Sequence, residues 1–207
     1  HLEVGLLREG DPADLIIVED LSTFEVVETY INGQMVARRG QTLLEAVKAE
    51  APNHFNTEIK TPADFVVKAR TGAAVRVSEA LNGEIVTRSA TVKLPISDAC
   101  VCSDPAQDVL KIAVVNRYKN AAPAIAFIKN FGLKEGAIAS CVGHDSHNII
   151  AVGVDDVSLC AAVNAIIRNR GGISAVNSEG EKVLPLPVAG IMTNADGYQT
   201  AKLYSEI

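Results

Sequence analysis

Short apolar runs bounded by turn residues dominate the first forty positions. Gly10-Asp11-Pro12 reads as a turn, and Leu15-Ile16-Ile17-Val18, closed by Glu19-Asp20, reads as a strand. Val26–Ile31 and Gln34–Ala37 flank Asn32-Gly33, a dipeptide that tolerates the positive φ of a type I′ turn, so the pattern predicts a hairpin. Leu44, Val47 and Ala51 have helical spacing, predicting a short helix over Gln41–Glu50 that stops at Pro52 and gives way to a loop through His54 to Pro62. Val75–Leu81, Asn82-Gly83 and Glu84–Arg88 repeat the hairpin signal 50 residues on. Two copies do not make a solenoid. Residues 89–107 carry Pro95, Asp98, Asp104 and Pro105 and read as a connector.

From about position 106 the character changes. Val109–Val115, Gly136–Val142 and Asn148–Val154 are apolar strand candidates. Asp155-Asp156 then caps a segment carrying Leu159, Cys160, Val163, Ile166 and Ile167 on one stripe. Arg168 and Arg170 complement the negative helix end, Gly171-Gly172 stops it, and Ile173–Val176 and Leu184-Pro185-Leu186-Pro187 follow. Strand, helix and strand in that order suggest a parallel βαβ crossover. The predicted class is α/β, or α+β for the whole: a small, mostly-β N-terminal part and a C-terminal α/β domain. Three segments are expected: 1–50, 51–105 with the second hairpin and connector, and 106–207.

The 207 residues can bury a substantial core, and 48% hydrophobic content excludes a disordered tail. No apolar run approaches the roughly 20 residues of a membrane span. Net charge of −6 and only 4% aromatic residues argue against a nucleic-acid partner. Cys100, Cys102, Cys141 and Cys160 are too few and too unevenly spread for a secreted disulfide framework, and no signal peptide is evident, so the expected compartment is the cytoplasm. The chain opens at His1 and runs straight into apolar sequence, which suggests a fragment.

The densest polar cluster is His144-Asp145-Ser146-His147-Asn148, between two apolar strands. Two imidazoles, a carboxylate, a hydroxyl and an amide in five positions suit metal binding, proton relay or hydrogen bonding to a substrate edge. The bland alternative is a strand-linking loop whose side chains cap backbone groups. Arg117, just past a strand's carboxyl end, is placed either to face a ligand crevice or to make a surface ion pair. Asp14 reads as a turn-closing carboxylate rather than a catalytic one. Cys100-x-Cys102 with Cys141-x-x-His144 could be drawn as a zinc site, but the single spacer argues against it, and Cys160 belongs to the helix core. No glycine pattern matches a phosphate loop.

Two stretches carry a resemblance. Gly5–Val18 followed by Ile31-Asn32-Gly33-Gln34-Met35-Val36 resembles the segment after the catalytic barrel of amidohydrolase-superfamily enzymes. Lys111–Tyr118, Phe127–Leu133, Gly136–Ser140, His144–Gly153 and Leu184–Gly190, in that order, resemble the bacterial adenine deaminase family. The resemblance implies a parent enzyme of purine salvage that hydrolyses adenine to hypoxanthine and ammonia. It also implies a binuclear manganese or iron centre in a TIM-like barrel, with a metal-bound hydroxide attacking the amino-bearing ring carbon. Such a barrel takes roughly 250 residues. The family's centre needs an H-x-H pair, further histidines and carboxylates, whereas this chain has only His1, His54, His144 and His147.

No catalytic or metal-ligating residue is therefore expected here. Residues 1–50 would finish the β-sandwich domain beside the barrel, and 106–207 would form the accessory domain. His144, Asp145, Ser146, His147, Asn148 and Arg117 are candidates for a lid at the substrate mouth. The expected partners are adenine, through the parent enzyme, and the missing barrel; homo-oligomerisation is open. Two other readings compete: a free-standing, non-catalytic binding or assembly module, and a small metal hydrolase built on His144, Asp145 and His147, disfavoured because a catalytic zinc site wants three protein ligands.

Overall fold

The computed structural model describes residues 6–47, 50–70 and 74–207. The chain divides into two compact units, His1–Lys48 and Ala49–Ile207.

The first unit is a four-stranded antiparallel sheet of β1 (Leu15–Val18), β2 (Val26–Ile31), β3 (Gln34–Arg38) and β4 (Gln41–Thr42), in that order. The β2–β3 turn takes the expected form, with Asn32 at φ 50° and Gly33 at φ 75°. Asp14 closes this corner: its Oδ1 accepts the Asn32 backbone N–H at 2.7 Å, so its task is turn closure. The helix expected over Gln41–Glu50 is absent from residues 41–47, and residues 48 and 49 lie outside the described residues. Arg39 and Gly40, at φ 46° and 74°, turn the chain straight back, so that Gln41 pairs with Arg38 and the Leu43 N–H donates to the Val36 carbonyl. Strand pairing thus captures the segment before a helical turn, whose nucleation is costly, can form. None of the described residues of this unit is buried.

The second unit is built on an eight-stranded sheet. Its members are β6 (Val75–Ala80), β7 (Thr87–Val92), β10 (Val109–Val115), β11 (Ala124–Lys129), β12 (Ala137–Ser140), β13 (Ile149–Gly153), β14 (Gly172–Asn177) and β15 (Gly180–Pro185). Their order is β15-β14-β12-β13-β10-β11-β6-β7. A 3₁₀ turn (Pro62–Phe65) and three two-residue strands, β5 (Val67–Lys68), β8 (Ile96–Ser97) and β9 (Cys100–Val101), form a small side layer. Helix α1 (Asp156–Arg168) packs across β12, β13 and β14, while α2 (Gly197–Glu206) lies beside β15. The main core joins Ala113 and Val115 of β10, Ala137 and Ala139 of β12, and Leu159, Val163 and Ile166 of α1. The whole is α+β.

Four sequence expectations change in physical detail. The strand–helix–strand unit is split: β13 and β14 both pair antiparallel with β12, which lies between them, so they run parallel without touching. Among the described residues the only parallel ladder is β11 with β6. Asn82-Gly83 does not make a two-residue hairpin, because β6 and β7 pair from Ala80 to Thr87. There the Glu84 N–H donates to the Leu81 carbonyl and only Gly83 has positive φ, a type II arrangement within a longer loop. The connector 89–107 contains the end of β7 and all of β8 and β9. At the end of α1 the left-handed residue is Arg170 (φ 55°), with Arg170 N–H donating to Ile167 O and Gly171 N–H to Ile166 O. This is a Schellman closure, with Gly171 one place beyond the left-handed residue. Its beginning follows expectation: the Asp155 carboxylate accepts the Ser158 N–H at 2.7 Å.

Candidate functional site

β10 ends at Val115, β12 ends at Ser140 and β13 starts at Ile149, so antiparallel pairing delivers residues 116–118 and 141–148 to the same end of the sheet. Arg117 sits there, and only 5% of it is exposed. Its Nη1 donates to Asn53 Oδ1 at 3.3 Å and its Nη2 to the Tyr118 hydroxyl at 3.1 Å, with the guanidinium carbon 4.6 Å from the Tyr118 ring centroid. Its Nε is buried without a partner, and Arg117 makes no ion pair among the described residues. The surface-ion-pair alternative for this residue therefore fails.

Asn53 is fixed in turn, donating through Nδ2 to Arg170 O at 2.6 Å and Pro187 O at 2.9 Å. Gly190 seals the other side. Its φ is +76°, and a Cβ there would stand 2.2 Å from Arg117 Nη1, so only glycine lets the backbone approach this closely. Three chain segments, at Asn53, Arg117-Tyr118 and Gly190, thus meet around one guanidinium.

The loop of residues 143–148 is tied to that centre. The Tyr118 hydroxyl donates to Ser146 O at 2.8 Å, and Asn148 Oδ1 accepts the Arg117 backbone N–H at 3.3 Å. His147 is left-handed (φ 51°), and its N–H donates to Gly143 O at 2.8 Å. Its Nδ1 is buried with no partner. His144 and Asp145 are joined by a cis peptide bond and face one another through Nδ1 and Oδ1 at the tip. Their side chains are 90% and 84% exposed, open to a ligand from outside. An apolar hollow of about 260 Å³ borders the loop base, lined among others by Phe131, Ile138, Val142, Gly143, Ile150 and Ile173. Larger hollows of about 530 and 580 Å³ lie along β12–β14–β15 and beside β6–β7, and neither touches Arg117 or the loop. We place the site at the loop because polar groups converge there.

The cysteines hold nothing together. Burial pushes the Cys141 thiol up to about 11, and the nearby Arg117 charge offsets this only in part. Burial also raises Cys160, which donates to Lys60 O from the core side of α1. The described residues contain no group of three His, Cys, Asp or Glu side chains able to hold a metal ion. Neither the zinc arrangement of Cys100, Cys102, Cys141 and His144 nor a metal centre on His144, Asp145 and His147 is assembled. The binuclear centre implied by the resemblance likewise finds no ligand set among the described residues.

Sequence reasoning pointed to Arg117 and the loop but missed Asn53, Tyr118 and Gly190. Tyr118 could have been found from its adjacency to Arg117. Asn53 and Gly190 carry no local signal, because their role depends on contacts with residues more than 60 positions away.

Comparison with known proteins agrees along the whole length. Residues 84–207 match the family described as adenine deaminase C-terminal domain. The adenine deaminase of Sulfurovum sp. (strain NBC37-1) is 49% identical over 206 residues, and that of Salinibacter ruber is 48% identical over 207. The adenine deaminase of Methanosarcina acetivorans is 43% identical over 212 residues. These alignments take in 100%, 100% and 98% of this chain, which spans 37%, 38% and 38% of the relatives' own lengths.

Proposed function

From the premise that this chain belongs to the adenine deaminase C-terminal domain family, we propose that it is the accessory part of a metal-dependent hydrolase of purine salvage. The reaction is adenine plus water to hypoxanthine plus ammonia. The observation that carries this reading is the end-to-end match to proteins named adenine deaminase, of which the chain spans 37–38%. The manganese or iron centre that the family resemblance implies is assigned to the part of the relatives' length that this chain does not span.

The first unit supports the same division. A single sheet needs further layers over its apolar surface, yet Ile16 and Ile17, on opposite faces of β1, and Val26 and Ile31 of β2 are all exposed. Their cover comes from the barrel-bearing part, with which residues 1–50 complete a β-sandwich, while 106–207 form the accessory domain. We place the protein in the cytoplasm, where its four free cysteines stay reduced. No helix among the described residues is long and apolar enough to cross a membrane.

Within this scheme the 144–148 loop sits at the substrate mouth, with His144, Asp145 and His147 offering hydrogen-bonding groups to the purine or to departing ammonia, and Arg117 anchoring them. The test uses the full-length protein. His147→Ala raises KM for adenine or lowers kcat, while its melting temperature stays normal; unchanged kinetics would remove the loop from the mouth. Chromatographic assay of hypoxanthine formation by the isolated chain should find none, and turnover by that chain would overturn its accessory role.

A further inference from the structure

The polar groups around Arg117 are arranged in series. The buried guanidinium, fixed by Asn53 Oδ1, donates to the Tyr118 hydroxyl, and that hydroxyl spends its single proton on Ser146 O at 2.8 Å. A phenol has one O–H to donate. With Arg117 supplying the bond that the oxygen accepts, the remaining proton is directed at the loop. Polarisation by the neighbouring cation strengthens that second bond. Ser146 is the centre of the candidate loop, flanked by exposed Asp145 and by His147, whose left-handed backbone must be held by its surroundings.

We propose that Tyr118 is a positioning residue. Through its hydroxyl it latches the 144–148 loop to the Arg117–Asn53 anchor and so sets where His144, Asp145 and His147 meet the substrate. The latch rests on the reading of this loop as the substrate mouth. Two features support a latch rather than a passive contact. Tyr118 is 42% exposed, so its ring is not retained as core filling. Its hydroxyl also holds the loop's central backbone carbonyl from outside, whereas the Arg117 backbone N–H holds the loop only at its end, Asn148, and the His147–Gly143 bond is internal to the loop.

The experiment substitutes Tyr118→Phe in the full-length protein, keeping the ring over Arg117 and removing only the hydroxyl. Amide hydrogen exchange of residues 144–148 and steady-state kinetics on adenine are then compared with wild type. A bond of this kind predicts exchange about fivefold faster in the loop alone and KM about fivefold higher, with a smaller change in kcat. Arg117→Lys, whose ammonium cannot bridge Asn53 and Tyr118 as the planar fork does, should accelerate the same amides. Unaltered exchange in the Tyr118→Phe loop would overturn the latch whatever the kinetics show. Accelerated exchange with unmoved kinetics would keep the latch and refute the placement of the loop at the substrate mouth, so the two failures are distinct. The exchange measurement stands even if the protein does not act on adenine.

Discussion

Lys111 and Asp156 form the most consequential buried pair in the second unit. Lys111 points from β10 into the layer under α1, and its side chain is 2% exposed. Its Nζ donates to Asp156 Oδ1 at 2.5 Å and to Phe65 O at 3.2 Å, tying the first turn of α1 and the end of the 3₁₀ turn to the sheet. Asp156→Ala leaves an ammonium buried with one carbonyl. Breaking a buried pair in this way costs about 3–5 kcal/mol. The lower end applies because Asp156 is 25% exposed, and loss of its favourable charge at the helix N-terminus adds roughly 0.5 kcal/mol.

Lys111→Met is different. It removes the buried cation, fills the space with a side chain of similar length, and leaves Asp156 in contact with water at the positive end of the helix, at a cost of about 1 kcal/mol. At about 2–4 °C per kcal/mol for a unit of this size, Asp156→Ala lowers the melting temperature by roughly 7–14 °C and Lys111→Met by roughly 2–4 °C. The double variant should recover most of the Asp156→Ala loss, since the stranded charge is gone. Calorimetric melts of the four proteins form a double-mutant cycle. Equal losses in the two single variants, or simple additivity in the double, would refute the view that desolvation of Lys111 dominates this pair.

Three further outcomes are expected. Gly190→Ala forces a β-carbon onto Arg117 Nη1 and a side chain into left-handed φ, so it should destabilise the second unit by about 1–3 kcal/mol and loosen the 144–148 amides as Tyr118→Phe does; a neutral melt with unchanged exchange would contradict the tight packing at Arg117. Thiol titration at pH 8 should label the half-exposed Cys100 and Cys102 rapidly and spare the buried Cys141 and Cys160. Cys141 titrates at about 11, leaving roughly 0.1% thiolate, and rapid labelling of all four would argue against that burial. Asp20 accepts bonds from the Thr23 hydroxyl and from the Thr23 and Ser22 N–H groups, which hold its carboxyl down at about 2. Because the folded value is depressed, its contribution is present above the unfolded value of 3.8 and is lost as pH falls through about 2; an NMR midpoint near 3.8 would show that the turn is not kept in solution.

What the sequence determined by itself was local. Asn32-Gly33 specifies its turn because both positions can take positive φ, and Asp155 starts α1 because its carboxylate reaches the Ser158 N–H three residues on. The apolar runs at 109–115, 137–140 and 149–153 announce strands whose burial follows from composition alone. β11, with Ala124 and Ala126 exposed, carries a weaker pattern, and α2, which has no buried residue, has almost none. Neither element was anticipated.

The remainder belongs to long-range pairing. Nothing local places β12 between β13 and β14 or lays β6 parallel to β11, since those choices depend on which ladders close around α1. The 41–47 segment has helical spacing, yet strand pairing across the Arg39-Gly40 turn took its first residues. The same holds at the site. The loop was legible because five polar residues interrupt two apolar strands, and Arg117 because it follows a strand end. That the guanidinium is buried, that Asn53 and Gly190 enclose it and that the Tyr118 hydroxyl donates a hydrogen bond to Ser146 O were decided only when residues far apart in sequence were brought together, because a buried charge takes its partners from whatever the fold delivers there.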